Sequence, residues 1–192
     1  TNRSVTEYGK YDADCSWMGS IHGQDHISAI EIISKFKYKF LTSQRNTWMH
    51  HPYEYNKATH VFLPNDEKLK QLSKCRSSLS FNMIYMSPSS KKNDFKAFEK
   101  FDEGIMPQFK VRTFEIASSK SLLLVKKDPW DLVEDFFEPE KEFIYFENFT
   151  ELEEIIDDIS KNFEKYQPII DAAFEKCKNY TVERVLPYIK QD

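Results

Sequence analysis

The 192-residue chain has 40% apolar side chains and a formal net charge of −4, which suits a single domain with a sizeable core. That acid excess gives no general attraction for nucleic acid or an anionic membrane surface. Four glycines are too few for a glycine-rich phosphate loop, and neither G-x-G-x-x-G nor G-x-x-x-x-G-K-[ST] occurs, which argues against a dehydrogenase or a P-loop NTPase.

In chain order, Asp14–Met18 reads as a strand closed by Gly19-Ser20, then a helix over Asp25–Phe36 and a strand over Tyr38–Thr42. Residues 44–58 read equally as a short helix or a loop around Trp48, His50, His51 and Pro52. A strand follows at Thr59–Leu63, and Pro64 opens a helix through Lys74, with Asn65 or Asp66 as its N-cap. Ser77–Asn82 alternates into a buried strand, and residues 85–104 form a long polar loop of the kind that often carries function.

Pro107 suits the first position of a helix that runs to Lys120, with Val111, Phe114 and Ala117 as its apolar stripe. Leu122–Val125 then reads as a strand buried on both faces. A helix is expected at Pro129–Phe137, a strand at Glu142–Phe146, and helices at 150–163, 168–178 and 181–189, so that 165–192 makes up terminal helices.

Strands alternating with helices over residues 1–192 predict one α/β domain, a doubly wound, mostly parallel, six-stranded Rossmann-like sheet with extra C-terminal helices. In the strand order 3-2-1-4-5-6, a ligand crevice opens at the carboxyl ends of the first and fourth strands, beside Gly19, Ser20 and Asn82. The Pro107 helix starts at the same crevice and brings Lys110 and Arg112 to its first turns. Free N–H groups and two cations there suit a diphosphate, and Glu115 one turn later suits two ribose hydroxyls. Gly19 would let a backbone approach the phosphates closely.

Arg112-Thr-Phe-Glu115-Ile-Ala117, the strand after it, and Trp130-Asp-Leu-Val-Glu-Asp-Phe-Phe-Glu-Pro-Glu-Lys-Glu-Phe-Ile-Tyr-Phe146 resemble the donor-binding domain of GT-B glycosyltransferases. Among these the chain is most similar to the group 1, spore-maturation (CgeB-like) type, and the likeness extends upstream through residues 65–82 to about residue 12. The resemblance implies a C-terminal donor domain that binds a nucleotide-diphosphate sugar as substrate, with no further cofactor and no metal. It implies transfer to a glycan or other acceptor, completed by an N-terminal acceptor domain of the same protein. Arg112 and Glu115 would carry the transfer, Arg112 by stabilising the departing diphosphate with Lys110, and Glu115 by holding the ribose. It also makes His26 a phosphate contact and seats the nucleobase near Val61 and Leu63. Many transferases of this fold carry two glutamates separated by seven residues. Counting back from Glu115 that position holds Pro107, and the upstream acid is Glu103. A non-catalytic nucleotide-binding or partner-docking module of the same fold is the alternative.

Asp12-Ala-Asp14 is formally a D-x-D, but it precedes the first strand instead of following one and reads as chance. His22 and His26 lack an acidic or cysteine partner for a metal. Cys15, Cys75 and Cys177 are sparse and widely spaced, which suits reduced thiols in a cytoplasmic protein. No apolar run approaches the roughly 18–20 residues of a membrane span and no signal-peptide core is present, so the sequons at Asn2, Asn148 and Asn179 are not expected to be used. A chain starting at Thr1 reads as a piece of something longer.

Overall fold

A computed structural model of the chain describes residues 10–21, 23–42, 57–61, 63–85 and 105–180, the side chains of Val61 and Tyr85 excepted. The expectations for His22, for residues 44–56, for the loop 86–104 and for the helix at 181–189 lie outside the described residues.

Six strands form one parallel sheet: β1 Ala13–Met18, β2 Tyr38–Thr42, β3 His60–Val61, β4 Cys75–Ser80, β7 Leu122–Lys126 and β8 Ile144–Phe146. Their order is β3-β2-β1-β4-β7-β8, which is the doubly wound arrangement expected. Among the described residues five α-helices flank it: α1 Gln24–Ile33, α2 Asn65–Leu72, α3 Arg112–Ser118, α4 Phe149–Asn162 and α5 Gln167–Cys177.

The apolar run in β7 divides itself between two cores because strand side chains alternate. Leu122 and Leu124 join Trp17, Phe40, Phe81 and Phe146 under α1 and α4, whereas Leu123 and Val125 join Ile116, Val133, Phe137 and Phe143 under α3 and α5. A third, smaller cluster, Met18, Leu41 and Leu72, seats α2. Small hydroxyl side chains fill the sheet face nearest α3: Ser16 Oγ lies 2.6 Å from Ser78 Oγ, which lies 2.9 Å from Ser121 Oγ. These short side chains meet their polar needs among themselves and leave room for a helix to sit close. The α4 helix is capped by Asn148, whose Oδ1 accepts the Glu151 N–H at 2.9 Å.

The structure departs from the sequence reading at three places. Pro107 does not start a helix; it ends β6 (Ile105–Pro107), which pairs antiparallel with β5 (Met83–Tyr85). Proline lacks the N–H that a central strand needs, but the edge of a two-stranded ribbon tolerates it. The helix begins at Arg112 with Val111 at its N-cap, so Val111 is 71% exposed while Thr113, Ile116 and Ala117 are buried. Residues 129–137 form successive turns instead of a helix. Asp128 Oδ1 accepts the Trp130 N–H at 2.9 Å, and Asp131 holds a φ of +54°, which helical backbone cannot adopt. Likewise α2 has Pro64 at its N-cap, one residue ahead of Asn65 and two ahead of Asp66.

Candidate functional site

Beyond β1 the chain turns at Gly19, whose φ of +121° belongs to the region that favours glycine. The Gly19 N–H donates to Leu41 O at 2.9 Å, and Trp17 Nε1 donates to Gly19 O at 3.0 Å. A Cβ at Gly19 would fall 3.0 Å from Arg112 Cζ and well inside contact of Nη2. The space expected for a diphosphate's close approach is therefore occupied by the Arg112 guanidinium, whose Cζ stands 5.7 Å over the Trp17 ring. Arg112 Nε is buried and has no hydrogen-bond partner among the described residues. Burial pushes this guanidinium down to about 10, against the opposing pull of Glu115. It remains a cation at neutral pH.

The turn before α3 is held by Asn82, which is fully buried. Its Oδ1 accepts the Lys110 N–H at 2.8 Å and the Thr113 hydroxyl at 3.3 Å, and its backbone carbonyl accepts the Gln108 N–H at 3.1 Å. Thr113 Oγ1 also lies 3.1 Å from Ser80 Oγ on β4. The sequence places Asn82 as a donor contact. Here its side chain is committed to this turn, so it sets the position of Lys110 and Arg112 from beneath. Burial lowers the Lys110 ammonium, and the neighbouring Arg112 lowers it further.

Two cavities open on either side of Arg112 at the carboxyl end of the sheet. One, of about 310 Å³, is lined by Gly19, Leu41, Lys68, Lys110, Arg112 and Glu115 with Met18 and Val111. The other, of about 290 Å³, is lined by Ser20, His26, Phe81, Gln108, Lys110 and Arg112 with Met83 and Ile84. Lys110 and Arg112 face both. Six of the nine expected site residues thus converge on one crevice: Gly19, Ser20, His26, Lys110, Arg112 and Glu115. Leu63 instead packs against Met18, Leu41 and Leu72. Val61 pairs with Thr42 through its backbone at the end of β3.

Sequence reasoning missed Lys68. Its Nζ lies 3.1 Å from Glu115 Oε1, joining α2 to α3 across the first cavity. Nothing local in the sequence signals it, because the two residues lie on separate helices. His26 is buried between Trp17 and Phe81, with ring centroids at 4.7 and 5.1 Å, so its ring forms part of the cavity wall.

Asp12 and Asp14 stand at the opposite, amino end of the sheet. Asp12 pairs with Lys39 at 2.6 Å and Asp14 with Arg76 at 2.9 Å, so neither carboxylate reaches the crevice. Among the described residues no group of three His, Cys, Asp or Glu side chains is arranged to hold a metal ion. Burial raises the Cys15 and Cys75 thiols to about 12 and Cys177 to about 11, which makes all three poor nucleophiles. No helix among the described residues is long and apolar enough to cross a membrane.

A family model described as glycosyl transferase-like matches residues 20–190. The chain belongs to that family. Its fold is the Rossmann-like domain of GT-B glycosyltransferases, and the structural neighbours agree. The Anabaena HepE protein in complex with UDP-glucose superposes with a TM-score of 0.62 at 11% identity, over 93% of this chain and 48% of its own. Sucrose-phosphate synthase from Thermosynechococcus elongatus gives 0.62 at 12%, over 94% and 44%. The C-terminal domain of the group 1 glycosyl transferase LpcC from Francisella tularensis gives 0.53 at 9%, over 90% and 87%. This member of the family thus spans less than half the length of the first two. No curated protein matches it in sequence.

Proposed function

We propose that this chain is the donor-binding domain of a GT-B glycosyltransferase and binds a nucleotide-diphosphate sugar in the crevice around Arg112. The observation that carries the reading is the Arg112 guanidinium itself, seated between two cavities with a buried Nε that lacks a partner among the described residues. Burial outweighs the pull of Glu115 on this cation, and an anion at the seam of the cavities would offset that cost. The diphosphate lies against Arg112 and Lys110, which both cavities share. The ribose and base occupy the Glu115 side. The sugar occupies the side of Ser20, His26 and Gln108.

In transfer, negative charge grows on the departing diphosphate. Two cations fixed in a partly dry crevice stabilise that charge more than they would in water, and they need little reorganisation as it forms. Asn82 keeps the Lys110 backbone in place during the step. The match to less than half of the first two neighbours, and to most of an isolated C-terminal domain, supports a second, N-terminal domain that brings the acceptor.

Calorimetric titration with UDP, GDP and ADP tests the reading, with Arg112→Ala beside the wild type. The substitution should weaken diphosphate binding by about ten- to a hundred-fold, the worth of a charge-assisted hydrogen bond. A folded Arg112→Ala chain with unchanged affinity would show that the phosphates bind elsewhere. Absence of binding by every nucleotide would remove the donor role.

A further inference from the structure

We propose that Lys68 is a positioning residue that makes the crevice selective for ribonucleotides, acting through Glu115; this rests on the ribose role given to that carboxylate above. The Lys68 ammonium lies 3.1 Å from Glu115 Oε1, and both side chains line the cavity of about 310 Å³. They are 17% and 25% exposed, unlike the Lys141–Glu138 pair at 63% and 57%, so solvent screens this pair far less.

A carboxylate in this place faces a specific difficulty. It shares the cavity with Lys110 and Arg112, where a diphosphate is to bind, and the incoming phosphates repel it. A glutamate side chain with free torsions would swing towards water and meet the ribose loosely. Tethering one oxygen to a cation on a different helix holds the carboxylate in the cavity wall, with the second oxygen available to the vicinal diol. Discrimination between ribose and 2′-deoxyribose depends on that fixity. A held carboxylate loses a hydrogen bond when the hydroxyl is missing, whereas a mobile one replaces it with water.

Lys68 also offsets the Glu115 charge, which would strengthen binding of every diphosphate alike. The two roles separate in the ratio of affinities. The 192-residue chain is titrated with UDP and with 2′-deoxy-UDP in four forms: wild type, Lys68→Met, Lys68→Arg and Glu115→Gln. Thermal melts confirm that each is folded. The wild type should prefer UDP by about ten-fold or more. Lys68→Met should shrink that preference to within about threefold, Lys68→Arg should restore most of it, and Glu115→Gln should abolish it. A preference that survives Lys68→Met but collapses in Glu115→Gln overturns the role of Lys68 and leaves the ribose reading standing. Equal weakening of both nucleotides by Lys68→Met overturns it too, because that marks a purely electrostatic contribution. A wild type without preference removes the ribose role of Glu115 and this proposal with it.

Discussion

Alanine at Gly19 would set a methyl group where the Arg112 guanidinium now lies. The added Cβ comes to 3.0 Å from Cζ and closer still to Nη2, so the arginine must leave its seat over Trp17. The backbone is strained as well, since φ is +121° there. A non-glycine residue in such a region costs about 1–3 kcal/mol. For a domain of this size that lowers the melting temperature by about 2–4 °C per kcal/mol. The displaced guanidinium should forfeit most of its phosphate contact, a loss of about ten- to a hundred-fold in UDP affinity. A double-mutant cycle identifies the cause. In the Arg112→Ala background the methyl group meets no guanidinium, so Gly19→Ala should cost almost no further affinity, yet the backbone strain should persist in the melt. UDP calorimetry and thermal melts on the four proteins supply both numbers. Wild-type UDP affinity in Gly19→Ala would refute the reasoning, and so would affinity losses that add in the double mutant.

Asn82→Ala should lower stability by about 1–3 kcal/mol by stranding the buried partners at Lys110 and Thr113, and should also weaken UDP binding, measured by denaturant melts and calorimetry. Diphosphate affinity should fall as pH rises towards about 10, because burial lowers both the Lys110 ammonium and the Arg112 guanidinium and only their charged forms hold phosphate; a flat profile would count against the site. Under the proposed function, nucleotide binding should persist in excess EDTA, since side-chain cations would meet the phosphates, while sugar transfer by this chain alone should be absent or very slow without an N-terminal acceptor domain.

The central strands β1, β4 and β7 are legible because they are buried almost throughout on both faces and appear as apolar or small-residue runs with turn residues at their ends. Strand order follows from alternation with helices, and it puts Gly19, Ser20, Lys110, Arg112 and Glu115 together at the carboxyl edge of the sheet. The errors have physical sources. Proline fits both a helix start and an edge strand, so Pro107 was ambiguous, and moving the helix start to Arg112 turned Val111 from core to surface. The turns after Pro129 keep helical spacing in sequence, but Asp131 breaks them with a left-handed backbone that sequence pattern does not reveal. Lys68 and the seat of Arg112 at Gly19 are contacts between distant segments, visible only once the sheet has brought them together.

The β5–β6 ribbon has a bearing on how this domain can be re-engineered. Met83 pairs with Pro107 and Tyr85 with Ile105, so the two ends of the connection 86–104 are pinned side by side. Closing a longer flexible connection between fixed ends is cheap, about 0.6 kcal/mol for each doubling of length. Insertions or deletions between Tyr85 and Ile105 should therefore leave Asn82 and the Lys110 turn where they are. Because Met83 and Ile84 themselves line the cavity, pairing with residues 105–107 fixes that wall of the crevice whatever the length of the connection.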